Sequence, residues 1–519
     1  MENPPLLVVC DLNRFVIRTN WTNTVSEKHE FALEDLRDAH VLEKLKWVMS
    51  DPERLRPGRT RQGLTEDVAS EFAALAQTLR TRGHSAGDVA HFINRLVFCM
   101  FAEGADLLPD KVFTRMLKTA KGEPGQFATH AATLFAAMKQ GGLVGFETID
   151  WFNGGLFDDA GALPLQAADI DLCLRAAGQD WSEVDPSIFG TLFVRGLDPD
   201  KRSETGSEYT DRDKIMMIIE PVVTEPLLRE WARVRDGIAA RMDTARAALE
   251  EVLTSASGFP ELEEEVRSVR GRLTNRPQLE LFQELGKQRR VRSVDATRAS
   301  LRAAVSAVEE AREAGEAAFR TFLARLRAFR VLDPACGSGN FLYLALSELK
   351  NLERRVAIEG EQLGFPPEFP AIGPEALLGI EINPYAAELA RVSVWIGEIQ
   401  WMRRNGFNVG RKPILKPLHT IDCRNAIINE DGSAAMWPDA DAIIGNPPYL
   451  GAKLLKRRLG VKMTEAMRSL YEGRLPGFTD LVCYWFENAR DAVAAGRTVR
   501  VGLVATNSIR KNTNLPVMC

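Results

Sequence analysis

No run in this 519-residue chain approaches the ~20 uninterrupted apolar residues a membrane span requires. The N-terminus, Met1-Glu2-Asn3-Pro4-Pro5, lacks the cationic start of a secretory signal. Paired cysteines are missing too. The seven present (Cys10, Cys99, Cys173, Cys336, Cys423, Cys483 and Cys519) stand singly, with no Cys-x-x-Cys, which argues against a zinc site and a disulfide framework. The six histidines are equally dispersed. Charge of either sign is not in great excess. A net charge of −5 excludes a surface that is basic throughout, although it leaves room for a local basic groove. These absences predict a cytoplasmic chain with no membrane segment and no metal.

What remains is ordinary for a globular protein: 45% hydrophobic and 26% charged residues. At roughly 100–200 residues per domain, three or four units are expected. Residues 1–40 carry two short β-branched runs, Leu6–Cys10 and Phe15–Thr19, which predict a hairpin. A hairpin alone is marginal, so this one needs a larger body to pack on. From residue 64 the apolar period becomes helical at Val68, Phe72, Leu75 and Leu79, with Thr65 as N-cap, and again at Val89, Ile93, Leu96, Val97 and Met100. Residues 142–200 read as loop-rich. Two further apolar stripes, Leu228 to Val252 and Leu301 to Phe329, predict a helical hairpin or short coiled coil. The basic cluster Lys287 to Arg292 admits phosphate contact or a solvated face. After residue 330, strands ending at Asp333, Glu381, Asp422 and Gly445, and a later one at 501–505, alternate with helices. Such alternation predicts a parallel sheet with helices on both faces, and ligands bind at the carboxyl ends of such strands.

The chemistry-bearing residues stand at those ends. Asp333-Pro334-Ala335-Cys336-Gly337-Ser338-Gly339-Asn340-Phe341 is a strand end, a Gly-x-Gly turn and a helix start. The glycines let backbone approach a ligand closely. Leu342 stands where a dinucleotide fold wants a third small residue, and no Gly-Lys-Ser/Thr follows. Glu381, next to Ile382, is either a ribose-hydroxyl acceptor or a solvent-facing acid. Asp422 is either an adenine-amino acceptor or a plain strand-end acid. Asn446-Pro447-Pro448-Tyr449 follows the apolar run 442–445. Its carboxamide oxygen and the Pro447 carbonyl suit the two protons of a conjugated amino group. Taking both would favour a more tetrahedral, more nucleophilic nitrogen. The prolines stiffen the turn, and Tyr449 offers a stacking face.

Together these residues resemble the S-adenosylmethionine-dependent amino-group DNA methyltransferases of the N6-adenine type. Gly206-Ser207-Glu208-Tyr209-Thr210 looks like the segment that in that family precedes the cofactor loop, which is similar to the γ-type motif order. The helical Phe98–Glu103 region, the long helices and Ala505–Arg510 look like the large single-chain MmeI-like (type IIL/IIG) restriction–modification methyltransferases. The resemblance implies an α/β, Rossmann-like methyltransferase sheet, incomplete at its C-terminal edge, with N-terminal and inserted helical regions. It implies a cofactor site of Tyr209, Thr210, Asp333, Pro334, Ala335, Gly337, Gly339, Phe341, Glu381, Ile382 and Asp422. Catalysis would fall to Asn446, Pro447, Pro448 and Tyr449, with double-stranded DNA as substrate and no metal. The corresponding division is 1–40, a remnant of an upstream domain; 41–200, a helical spacer with its connector; and 201–519, the methyltransferase domain with its helical insertion at 229–330. No acid–acid–lysine nuclease core is evident in residues 1–60, and a family-length recognition region is missing after Asn507, so the chain is expected to be truncated at both ends. A separate chain supplying target recognition fits that expectation. Three other readings stay open: methylation of cytosine N4, methylation of a protein glutamine, and an impaired fragment that only binds cofactor or a partner. Lys453, Lys456, Arg457 and Arg458 read equally as phosphate contacts or a solvated helix face.

Overall fold

The structure is a computed structural model. It describes residues 4–21, 24–58, 60–152, 156–159, 161–181, 184–187, 190, 212–274, 293–407, 418–510 and 514. The chain forms two compact units: Met1–Val222 with Arg330–Ser347 and Gly373–Cys519, and Val223–Phe329 with Glu348–Ile372.

The first unit begins with β1 (Leu6–Cys10) and β2 (Arg14–Thr19), antiparallel with Cys10 opposite Phe15. Asp11 makes the turn, its Oδ1 accepting the backbone N–H groups of Asn13 and Arg14 at 3.1 and 2.7 Å. A third strand, β3 (Lys28–Ala32), extends the hairpin read from sequence. Its polar residues hide it from a pattern search, because only Phe31 faces the small core with Ile17 and Leu55.

Helices Arg61–Thr81, Ala86–Gly104, Val112–Gly122, Phe127–Gln140 and Ala167–Ala177 follow. The first is capped by Thr60, whose side chain accepts from Gly63 N–H, and not by Thr65. Thr65 lies inside the helix, buried, and its hydroxyl accepts the Asp185 N–H at 3.1 Å. The second is capped by Ser85. The described part of the 142–200 stretch is more ordered than its composition predicts. It holds a short hairpin, β4 (Gly142–Val144) with β5 (Glu147–Ile149), as well as the last of these helices.

Five strands complete the unit: β6 (Val331–Asp333), β7 (Leu377–Glu381), β8 (Ile421–Cys423), β9 (Ala442–Gly445) and β10 (Arg500–Leu503). Their order is β10-β9-β6-β7-β8, with every pairing parallel. This is an α/β, Rossmann-like parallel sheet. β6 and β9 are buried throughout, as expected of central strands covered on both faces. Strand order reverses between β6 and β9, which makes that junction the switch point where such sheets bind ligands. Helix Arg212–Ile219 packs on β10 so closely that a Cβ at Gly502 would lie 2.8 Å from Ile218 Cγ2.

The helix Pro384–Arg404 serves two partners. Its start is set by Pro384 and by the Asn383 side chain, which accepts from Tyr385 and Ala386 N–H. Ala386, Leu389, Val392, Ile396 and Ile399 join the same hydrophobic core as the helices between Arg61 and Ala177. Polar contacts reinforce the join. Gln400 donates to Val184 O at 2.8 Å, Arg403 donates to Gly104 O at 2.7 Å, and Tyr343 donates to Asp185 Oδ1 at 2.6 Å. The N-terminal helices and the Pro384 helix of the sheet region therefore share one interior.

The second unit is built on helices Glu225–Ala256 and Val294–Arg327. Trp231 meets Phe322 and Phe319 at one end, while Leu249 and Leu253 cluster with Leu301 at the other, so the two helices run antiparallel. Glu263–Thr274 packs at the tip. Arg327 is fixed by the buried Glu353 at 2.7 Å. The cluster Lys287–Arg292 lies outside the described residues.

Candidate active site

β6 and β9 are hydrogen-bonded neighbours, with Val331 opposite Ala442 and Leu332 opposite Ile443. The segments that leave their carboxyl ends therefore emerge side by side. Contact is direct: a Cβ on Gly445 would lie 2.5 Å from Asp333 Oδ1, so only glycine fits. The cofactor-type loop and the Asn446 tetrapeptide thus occupy one edge of one sheet.

The loop is held from several sides. Asp333 is 1% exposed, and its Oδ1 accepts Ala335 N–H at 3.0 Å. Burial, helped by the charge of Glu381 and opposed by that N–H, pushes its carboxyl up to about 8. Cys336 N–H bonds to Ile380 O on β7 at 3.1 Å, and Gly339 N–H closes the turn on Cys336 O at 2.8 Å. Gly339, at φ +86°, would put a Cβ 2.8 Å from Ala390 Cα, so the turn lies directly on the Pro384 helix. Gly337, at φ +52°, faces open space.

Glu381 at the tip of β7 accepts Gly337 N–H at 2.9 Å on one oxygen and Asn383 N–H at 2.8 Å on the other. Burial raises its carboxyl, against these bonds. Each oxygen keeps a further lone pair for an outside donor. Ile382 beside it is 61% exposed. Asp422 sits on the neighbouring strand opposite Ile380, half exposed, and pairs with Arg424 at 3.2 Å. Glu381, Ile382 and Asp422 thus gather at two adjacent strand tips. Phe341 is different: it is 5% exposed, a core side chain in the first turn of helix Asn340–Gln362. Tyr209 and Thr210 lie outside the described residues. Gly190, upstream of them, does reach this loop, since a Cβ there would lie 2.4 Å from Ser338 Oγ.

In the tetrapeptide, Pro447 is buried and Asn446, Pro448 and Tyr449 are partly accessible. Tyr449 Oη donates to Asn446 Oδ1. An amide oxygen accepts two hydrogen bonds, so one position on it is taken from within the motif.

Sequence reading missed the elements that brace both loops. Asp480 Oδ1 accepts Ala452 N–H at 3.0 Å, and Leu481 N–H bonds to Leu450 O at 2.8 Å, just past the tetrapeptide. One turn on, the buried Trp485 donates its indole N–H to Pro334 O at 3.1 Å in the cofactor-type loop. Residues 480–485 therefore hold both loops. Asn514 in turn holds Asp480, donating to Oδ2 at 2.8 Å. The one signal available was the polar Thr479-Asp480 pair ahead of an aromatic run.

The residues present fit an adenosine-type cofactor. They offer a paired-acceptor carboxylate at the second strand tip, an exposed aliphatic side chain next to it, open space before Gly337 and a buried Asn340 Oδ1 with no hydrogen-bond partner. Among the described residues no group of His, Cys, Asp and Glu is arranged to hold a metal ion. No described helix is long and apolar enough to cross a membrane.

Comparison with known proteins agrees with this geometry. Residues 308–519 match the family "MmeI, DNA-methyltransferase domain", and residues 87–157 match "MmeI, helicase spacer domain". DNA methyltransferase A of Bacillus subtilis (strain 168) is 24% identical over 87% of this chain and 44% of its own length. A putative type II restriction enzyme and methyltransferase of Methanocaldococcus jannaschii is 30% identical, but over 21% of this chain and 9% of its own. The solved structure of the type IIL restriction–modification enzyme MmeI in complex with DNA superposes with a TM-score of 0.58 at 22% identity, covering 87% of this chain and 52% of that one; it shares the fold. The chain spans about half the length of these larger relatives. With both matches in chain order on one shared core, the chain carries the DNA-methyltransferase and helicase-spacer domains of the MmeI family.

Proposed function

We propose that this chain methylates adenine N6 in double-stranded DNA, with S-adenosylmethionine as donor, as the modification part of a restriction–modification or phage-defence system. The observation that carries the proposal is the contact of Gly445 with Asp333, which puts the Asn446 tetrapeptide beside the Gly337–Gly339 loop. The donor, when bound, supplies an electrophilic sulfonium methyl group. Glu381 and Asp422 would accept hydrogen bonds from its ribose and adenine, and Ile382 would pack on the ring. On the other side, Asn446 Oδ1 and the Pro447 carbonyl would accept hydrogen bonds from the two amino N–H groups of a flipped adenine. Its nitrogen lone pair is thereby withdrawn from the ring, and the charge that develops on nitrogen is stabilised. Tyr449 would stack on the base, releasing Asn446 Oδ1 as it turns.

The test is transfer of labelled methyl to plasmid and genomic DNA, followed by digestion to nucleosides. N6-methyladenine is expected. Asn446→Ala should abolish transfer with cofactor affinity retained. Label in N4-methylcytosine or in protein glutamine would replace the adenine reading. No transfer by the unaltered chain, with cofactor still bound, would leave it a binding module.

A further inference from the structure

Directly after the tetrapeptide the chain becomes locally basic. Residues 453–470 carry Lys453, Lys456, Arg457, Arg458, Lys462 and Arg468 against the single acid Glu465, in a chain whose net charge is −5. The segment forms two short helices, Leu455–Leu459 and Val461–Leu470. Lys453, Lys456, Arg457 and Lys462 are exposed. Lys456 bridges the helices through Glu465 at 2.9 Å. One turn further along the second helix, the Arg468 guanidinium lies over the Phe478 ring, 5.2 Å from its centroid. These two contacts tie the first basic helix of the strip to the second and the second to an aromatic side chain.

Phe478 is 68% exposed, and two more apolar side chains on the strip, Leu454 and Val461, are 39% and 55% exposed. The Phe478 backbone is nevertheless firmly set. Thr479 is buried and bonds back to Pro476 O through both its N–H and its hydroxyl. Asp480, the next residue, holds Ala452 N–H. The fold thus presents a large apolar ring to solvent from a braced turn, two residues from the group that fixes the segment after Tyr449.

We infer that this strip is the DNA-docking surface: Lys453, Lys456, Arg457 and Lys462 take backbone phosphates, and Phe478 packs against bases exposed where the target nucleotide leaves the stack. The inference rests on the DNA reading above and adds to it the surface and the wedge. The charge is of the sign that phosphates require. An apolar ring at the end of a basic strip is how duplex-distorting proteins occupy an opened base step.

Two measurements on the full chain test the two halves. In the first, affinity for a random-sequence duplex is followed against salt. The quadruple alanine variant of Lys453, Lys456, Arg457 and Lys462 should flatten the log–log salt slope by roughly 2–4, at a slope of about −0.9 per phosphate contact. In the second, a duplex with a single bulged adenine competes with the matched duplex. The unaltered chain should prefer the bulge, and Phe478→Ala should remove about fivefold or more of that preference with the salt slope unchanged. Cofactor affinity and melting temperature should stay put in both variants, and Phe478→Trp should keep the preference. An unchanged salt slope overturns the phosphate assignment, and an unchanged bulge preference overturns the wedge. In either case the methylation reading stands if the unaltered chain still methylates DNA. An unaltered chain that binds no DNA overturns both. Concentration-dependent self-association abolished by Phe478→Ala, without loss of DNA binding, would reassign the ring to a contact between copies.

Discussion

The Trp485 indole donates to the Pro334 carbonyl at 3.1 Å, across 151 residues of sequence. That bond joins the helix that follows Asp480 and Leu481, which pin the chain after the Asn446 tetrapeptide, to the Asp333–Gly339 loop. Trp485→Phe keeps most of the buried bulk but strands a buried carbonyl, at a cost of about 1–3 kcal/mol. Cofactor affinity measured by calorimetry should weaken several-fold, with a smaller change in melting temperature. Unaltered affinity would reduce Trp485 to a packing residue.

Gly445→Ala should be more severe. The new Cβ would overlap Asp333 Oδ1, so either β9 or the cofactor-type loop must move. Overpacking of this kind costs about 1–3 kcal/mol. Because the residue precedes Asn446, methyl transfer should fall by orders of magnitude more than stability does. The check is kcat alongside urea unfolding. Asp333→Ala in the same chain should restore part of the stability, since it vacates the space.

Asp333 also predicts a pH effect of defined sign. Its carboxyl is pushed up to about 8 in the fold, from an ordinary 3.8. Between those values the native state holds a proton that the unfolded chain has lost, so this group lowers stability as pH rises and has no further effect above about 8. Glu381, also raised by burial, acts in the same direction. Urea midpoints from pH 5 to 8.5 should therefore fall more steeply for the unaltered chain than for Asp333→Asn. Parallel curves would show that the carboxyl is ionised throughout.

Leu389 tests the shared interior. It is fully buried in the core common to the spacer helices and the Pro384 helix. Leu389→Ala should cost about 2–5 kcal/mol. Hydrogen exchange should rise in Ala86–Gly104 as well as in the sheet. Exchange confined to the sheet would mean the spacer stands alone.

Much of the site was legible because its signals are local. A strand end, a Gly-x-Gly turn and a helix start are written in consecutive residues; β6, β7 and β9 end at Asp333, Glu381 and Gly445 as read, and β8 runs one residue past Asp422. Other features depended on distant partners. Thr65 looks like a helix cap by its type, yet the helix starts earlier at Thr60, and Thr65 instead receives Asp185. Asp480 and Trp485 bond to backbone groups, which any sequence supplies, so nothing in the motif pattern marks them. β3 was missed because one buried side chain per strand leaves no period to read.

By itself the sequence determined where the strands of the parallel sheet fall and which turn beside them needs glycine, since these follow from neighbours along the chain. Only the tertiary structure decided that β9 lies against β6, and that Pro384–Arg404 buries itself among spacer helices more than two hundred residues away. The physical reason is that strand order and helix packing are chosen by the burial of apolar faces over long sequence separations. That burial carries Asn446 to the Gly337–Gly339 loop, and no local pattern encodes it.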